Sequence, residues 1–332
     1  MPATICTDDA FIKVWNKHNG EVERVAEDLG CGLRAAYQKR RMVESRKGIV
    51  LNAQKSAVAA VIRRHKARIN LTIRDAVLPI AGDVHIAPGN RTTVQQAYIE
   101  VVKELKPQFV IMVGDVFDGA RISRHPRIGF LEDRPTVKDE LKAVGDWLSE
   151  VEAAAPKGAV LIWCLGNHDA RYESYLAASA PEMEGVTGMH LKDHFPKWLP
   201  CWGVHINDGE PSYTVIKHRW HNGIHASYNN VLKSGVSFVT GHLHKLDSRK
   251  WTDFRGSRYG VDCGFLADID DPQFVNYTED SPKDWMSGFP ILTFLKGKLM
   301  RPEFVQKWDE HHVEFRGQLR KVPDALRQPR KI

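Results

Sequence analysis

Cysteine is scarce in this chain, and no two cysteines are paired in sequence. The five (Cys6, Cys31, Cys164, Cys201 and Cys263) are odd in number and never spaced as CxxC. That excludes a disulfide framework and a zinc ribbon, and points to a reducing compartment. No run approaches the roughly 18 apolar residues a membrane helix needs. The segment Met1-Pro2-Ala3-Thr4-Ile5-Cys6-Thr7-Asp8-Asp9 has neither a basic n-region nor an apolar h-region. No signal peptide, no membrane partner and a cytoplasmic location are therefore expected. Repeats and low-complexity tracts are also missing. What is present, 42% hydrophobic and 27% charged residues over 332 positions, suits one large soluble domain plus a small one.

Charge is unevenly spread. Residues 1–75 carry 15 Lys+Arg against 8 Asp+Glu, a net of +7, and the remaining 32 against 33 leave −1. Residues 34–68 hold 11 basic residues against the single acid Glu44. A local basic stripe suits a polyanionic partner.

The same segment reads as three helices. Asp8 or Asp9 caps the first, with Phe11, Val14 and Trp15 on one face. Asn19-Gly20 marks a turn. Val22, Val25, Ala26 and Leu29 set the second helix, and Gly30-Cys31-Gly32 ends it. The third runs from about Leu33 to Arg46, with Leu33, Ala36, Tyr37 and Val43 inward and Arg34, Gln38, Arg41 and Ser45 outward. Helix, glycine turn, basic helix resembles the helix-turn-helix of phage and bacterial DNA-binding proteins. That resemblance implies DNA as a partner of residues 1–48. The alternative is a three-helix bundle with a solvated basic face. Residues 49–75 are expected to form a helical linker, and residues 76–332 the main domain.

From residue 76 the pattern changes to short apolar runs, each followed by a polar motif. Ala76–Ile80 leads to Gly82-Asp83-Val84-His85, and Phe109–Val113 to Gly114-Asp115-Val116-Phe117-Asp118. Ala159–Leu165 leads to Gly166-Asn167-His168-Asp169, Tyr213–Lys217 to His218, and Val236–Val239 to Gly241-His242-Leu243-His244. Runs of this length read as buried strands, and Val94–Lys106 and Thr136–Ala153 between them read as helices, giving an α/β architecture. In such sheets ligands bind at the carboxyl ends of the strands, where all five motifs fall. Phe289–Phe294, the turn Lys296-Gly297-Lys298 and Leu299–Trp308 read as a hairpin, and His311–Arg316 as a further strand, finishing a second sheet. The tail beyond Val322 is expected to fray.

Carboxylate, amide oxygen and imidazole together suit borderline divalent metals. Two such ions can clamp the attacking and leaving oxygens of a displacement at phosphorus and generate a hydroxide near neutral pH. The ordered set GDxH, GDxxD, GNHD, H and GHxH resembles the calcineurin-like metallophosphoesterase superfamily over about residues 76–300. The resemblance implies a four-layer αββα sandwich beside the small all-α N-terminal domain. It implies that Asp83, His85 and His244 hold one metal and that Asn167, His242 and a fourth-motif His hold the other, with Asp115 bridging. The fourth-motif ligand is His218, at a strand end, or His221, which precedes Asn222-Gly223. His225 reads as a loop residue. The resemblance makes His168 the catalytic group that stabilises the transition state or protonates the leaving oxygen. Asp169 orients it, and Asp118 supports the site from behind. Arg121, Arg124, Arg171 and Tyr172 are candidates for contact with substrate phosphate.

The implied function is binuclear phosphoester hydrolysis by a metal-bridging hydroxide. The favoured form is a phosphodiesterase acting on nucleic acid or nucleotides. Alternatives are a phosphomonoesterase for nucleotides or DNA ends, and a DNA-binding protein with a vestigial metal site. The second motif lacks the GDxVDRG form of protein Ser/Thr phosphatases, and GNHD replaces their GNHE. The two ions are expected to be Mn, with Fe, Zn, Ni, Co or Mg also suited. Helix-turn-helix plus metallophosphoesterase resembles proteins of tailed phages or prophages, which would place the chain in a host cytoplasm.

Overall fold

A computed structural model describes residues 6–49, 51, 67–125, 134–269, 274, 277–279, 281 and 283–323. The chain divides into two compact units, Met1–Lys66 and Ala67–Ile332.

The first unit consists of α1 (Asp8–Lys17), α2 (Val22–Asp28) and α3 (Leu33–Lys47). Phe11, Trp15, Val22, Val25, Ala26, Ala36 and Val43 meet in its core. Thr7, rather than Asp8 or Asp9, caps α1, its hydroxyl accepting from the Ala10 amide at 3.3 Å. Both aspartates lie in the first turn, where they face the positive end of the helix dipole. Asp8 also accepts from the buried Lys39 ammonium at 2.7 Å, which ties α3 to α1. Leu33 and Tyr37, expected inward, are instead about half exposed, at 46% and 48%. The small core is already filled by the α1 aromatics.

The second unit runs β1 (Arg68–Leu71), β2 (Ala76–Ala81), α4 (Thr93–Leu105), β3 (Phe109–Val113), α5 (Val137–Ala154), β4 (Val160–Cys164), α6 (Asp169–Ser179), α7 (Leu191–His194), β5 (Leu199–Cys201), β6 (Gly203–Ile206), β7 (Thr214–Ile216), α8 (Ala226–Ser234), β8 (Ser237–Thr240), β9 (Leu246–Asp253), β10 (Gly256–Cys263), β11 (Gly288–Leu295), β12 (Lys298–Leu299), β13 (Glu303–Lys307), β14 (His312–Phe315) and β15 (Gln318–Lys321). Two sheets result, ordered β15-β14-β13-β11-β2-β3-β4-β5, with β12 on β11, and β1-β6-β7-β8-β10-β9.

Side-chain alternation sorts the layers. In β3, Ile111 and Val113 enter the core between the sheets with Ile216, Val239 and Val261. Val110 and Met112 face the other way, onto Tyr98 of α4 and Trp147 of α5. On the second sheet α8 lies so close to β10 that a Cβ on Gly260 would fall 1.8 Å from the Ser227 carbonyl oxygen. Helices outside and two sheets within form the αββα sandwich. No helix among the described residues is long and apolar enough to cross a membrane.

Two expectations are corrected. The helix expected through residue 75 does not reach it, because Arg68–Leu71 is a strand paired in parallel with β6. Its alternation lets Ile69 and Leu71 pack on the inter-sheet core, so the second unit starts near Ala67. Residues 52–66 of that expected linker, and 324–332 of the tail, lie outside the described residues. The C-terminal strands do not finish a second sheet. β11 pairs antiparallel with β2, and β13 to β15 follow outward. They cover the edge of β2 that would otherwise stand open.

Candidate metal centre

Every candidate ligand sits just beyond the carboxyl end of a strand. Asp83 and His85 follow β2, Asp115 follows β3, Asn167 follows β4, His218 follows β7, and His242 and His244 follow β8. β2, β3 and β4 are parallel neighbours in one sheet, and β7 and β8 in the other. The two sheets thus deliver their loops to one edge of the sandwich.

The loops are tightly wound. Asp83, His85, Asp115, His242 and His244 have φ between 43° and 76°, five of the eleven described non-glycine residues with positive φ. Left-handed backbone at such residues costs about 1–3 kcal/mol each and persists only when neighbours enforce it. Here the loops are laced together. The Asp83 amide donates to the Gly114 carbonyl (3.1 Å) and the His85 amide to the Asp115 carbonyl (2.8 Å). The His242 amide donates to Asp83 Oδ2 at 2.7 Å. Gly166 is required by close approach, since a Cβ there would meet Asp115 Oδ1 at 2.0 Å.

Asp83, His85 and His244 form one group and Asp115, His218 and His242 another, with ligand atoms in each within 4.8 Å. His85 Nε2 and Asp83 Oδ1 each lie 3.3 Å from His244 Nε2. His218 Nε2 lies 3.2 Å from Asp115 Oδ2 and 3.1 Å from Asn167 Oδ1. Ligands about 2.1 Å from one ion, at octahedral or tetrahedral angles, are roughly 3.0–3.4 Å apart. Asp83 Oδ1 is buried with no hydrogen-bond partner, as an oxygen waiting for a cation would be. His218 Nδ1–H donates to the Val113 carbonyl at 2.8 Å and His85 Nδ1–H to Asp118 Oδ1 at 3.1 Å. These bonds set the tautomers that turn Nε2 toward the centre. The residues fit a pair of divalent ions.

His221 stays outside both groups. Its ring packs on Trp220 at 4.4 Å and its amide donates to Asn230. His225 is exposed at the start of α8.

The field at the centre is strong. Burial alone would raise the Asp83, Asp115 and Asp118 carboxyls, but the surrounding imidazoles outweigh it and hold all three below the usual range. Burial pulls His218 down, yet Asp115 overrides it and pushes His218 up to about 10. The negative field that would hold a proton on Nε2 also favours a metal ion there.

The expected His168–Asp169 pair is corrected. His168 Nδ1–H donates to Asp118 Oδ1 at 2.7 Å. Asp169 points into the protein. Its oxygens accept from the amides of Asp115, Val116, Phe117 and Gly166 at 2.8–3.0 Å and from Trp163 Nε1 at 2.9 Å. It therefore braces two ligand loops instead of orienting the histidine. Arg171 spans the Asp118 carbonyl (2.9 Å) and His168 Nε2 (3.0 Å). Arg121 is held by the carbonyls of Arg134 and Pro135, and the Tyr172 hydroxyl by His194. Neither lines the cleft.

A cleft of about 570 Å³ opens over the centre, with Phe274, Tyr277 and Trp285 on one side and Arg134 and Arg171 on the other. It meets a second cleft at Ser123, His125, Asn167 and Arg171. The aromatic wall was not foreseen, nor was Glu140, which holds the Gly119 amide at 2.8 Å behind Asp118. The wall comes from residues distant in sequence with no local pattern. Glu140 lies within a helix and reads there as an ordinary surface acid.

The family model for calcineurin-like phosphoesterases matches residues 80–262, just over half of the chain. No curated protein matches. Among solved structures, the Yfce phosphoesterase from E. coli is similar at 14% identity and a TM-score of 0.34, covering 68% of this chain and 97% of its own. A dimetal phosphatase from Danio rerio is similar at 11% identity and a TM-score of 0.35, covering 76% and 98%.

Proposed function

The chain belongs to the calcineurin-like phosphoesterase family, hydrolases of phosphoesters, and we propose that within it this protein is a phosphodiesterase acting on nucleic-acid or nucleotide diesters. The supporting observation is the pair of clefts that meet at Asn167 and Arg171. A diester carries a substituent on each side of its phosphorus, and the centre has room on both sides. A monoester needs only one.

Asp83, His85 and His244 would hold one ion, Asn167, His218 and His242 the other, and Asp115 would stand between them. Bound divalent ions supply Lewis-acid polarisation of the phosphoryl group and lower the pKa of water. His168, its Nδ1–H held by Asp118, would pass a proton to the leaving oxygen through Nε2, the atom Arg171 now donates to. Burial draws the His168 pKa down, but Asp115 and Asp118 more than offset this and raise it. Arg171, now against His168 Nε2, carries the positive charge that a phosphoryl oxygen would take. Its move to the phosphate uncovers Nε2 for proton transfer.

The test is metal-stripped protein reconstituted with Mn²⁺ on bis(4-nitrophenyl) phosphate and 4-nitrophenyl phosphate side by side. A higher kcat/KM for the diester is expected. Monoester preference would establish the phosphatase alternative, and metal uptake without hydrolysis of either would leave the vestigial-site reading.

For the N-terminal unit we propose DNA binding through α3. Its outward face presents Arg34, Gln38, Arg41 and Ser45, all exposed, beside the exposed Tyr37. Replacing Arg34 and Arg41 by Ala is expected to weaken duplex DNA binding and flatten its salt dependence. Unchanged affinity would refute this role.

A further inference from the structure

The second cleft, on the His218 side, is a trench of about 810 Å³. Its wall carries Arg124, Arg171, Lys217 and Arg219, and no carboxylate. Elsewhere on this unit exposed cations commonly have acidic partners, as in Lys142–Asp146, Lys197–Glu152 and Arg316–Glu303. Arg124, Lys217 and Arg219 make no ion pair among the described residues. Unpaired like charges gathered on one concave wall repel each other and concentrate a positive potential. Two aromatic side chains share that wall, Tyr175 at 51% exposure and Trp202 at 50%. An indole half in water beside cations is a surface made for a planar ring next to an anion.

We infer that this trench binds a single polynucleotide strand continuing from the scissile phosphate. The inference rests on the phosphodiesterase reading and narrows its substrate. Arg124, Lys217 and Arg219 take flanking phosphates, while Trp202 and Tyr175 stack on base faces. A nucleotide diester with one phosphate leaves these three cations without anions, so the wall calls for a polymer. Duplex bases have their faces covered by neighbouring bases, so the aromatics call for a single strand.

The test has a binding arm and a turnover arm, both on the full chain. The binding arm follows anisotropy of fluorescein-labelled (dT)12 in EDTA. Trp202→Ala is expected to weaken binding about ten-fold, within the range for one stacked base. Trp202→Phe should recover most of the loss. Arg124→Ala with Arg219→Ala should reduce the slope of log K against log salt by about 1.4, at 0.7 per phosphate contact on a single strand. On a duplex of the same length, Trp202→Ala should change affinity less than two-fold. If Trp202→Ala has no effect while the arginine changes do, the trench reads charge alone and the proposal is overturned. If neither has an effect, it is overturned also. In the turnover arm, with Mn²⁺, Trp202→Ala should lower kcat/KM on (dT)12 at least ten-fold more than on bis(4-nitrophenyl) phosphate. Equal losses would reject the trench while leaving the phosphodiesterase reading intact. Absence of any diester hydrolysis by the wild type would reject that reading instead.

Discussion

Asp118 Oδ1 lies 2.7 Å from His168 Nδ1 and 3.1 Å from His85 Nδ1, so one carboxylate oxygen orients both a candidate proton donor and a candidate metal ligand. Asp118→Asn should therefore lower kcat by about 10–100-fold and weaken metal affinity together. It should also shift the pH profile. Asp118 helps to raise the His168 pKa, and a proton donor stops working as pH rises through its pKa. Losing the charge must move the alkaline limb to lower pH. A kcat–pH profile with an unmoved limb would remove Asp118 from this role.

Asp169 is expected to matter for folding before chemistry. Asp169→Ala leaves five buried donors without an acceptor, and burying one such group unsatisfied costs about 1–3 kcal/mol. Urea denaturation should show a loss of at least about 3 kcal/mol, or no folded protein. A variant of wild-type stability that is inactive would return Asp169 to the catalytic set.

Gly166→Ala and Asp115→Asn separate shape from charge at Asp115, the proposed bridging position. The first pushes a methyl into Asp115 Oδ1, and the second keeps the shape and removes the charge. Both should bind fewer than two equivalents of Mn²⁺ by elemental analysis and lose hydrolysis. Two equivalents in Asp115→Asn, with full activity, would contradict a bridging carboxylate.

Glu140 gives a stability signature. Burial first, then Asp118, pushes its carboxyl up to about 7, above the ordinary 4.5. The native state then binds more protons than the unfolded state between those values, so its contribution to stability falls as pH rises from about 4.5 to 7. The stability of the wild type relative to Glu140→Gln should drop by roughly 2–3 kcal/mol over that window. Denaturation at pH 5 and pH 7.5 measures this, and a pH-independent difference would refute it.

Much of the candidate centre is legible in sequence because its candidate ligands follow short apolar strands, and strand ends are where the sheets deliver them. The His168–Asp118 pairing is not legible. It joins positions 50 residues apart, whereas Asp169 is adjacent in sequence and in the structure is turned away by five hydrogen-bond donors. The polar strand β9, with the exposed Arg249 and Lys250 in its middle, carries little apolar signal because none of its residues is fully buried. Which sheet β11 joins depends on the open edge of β2, a tertiary fact. Strand geometry accounts for which of the two fourth-motif histidines joins a candidate group: β7 ends at Ile216 and brings His218 beside Asp115 and His242, with His221 outside it.

The left-handed backbone at Asp83, His85, Asp115, His242 and His244 restricts which replacements can be inherited there. A β-branched residue fails at these positions on backbone grounds, whatever its chemistry, while Asn and Gly fit the conformation with least strain. A descendant of this chain that gave up hydrolysis but kept its architecture would therefore tend to carry Asn or Gly at those five places. Its lost activity would remain readable as a signature in its own sequence.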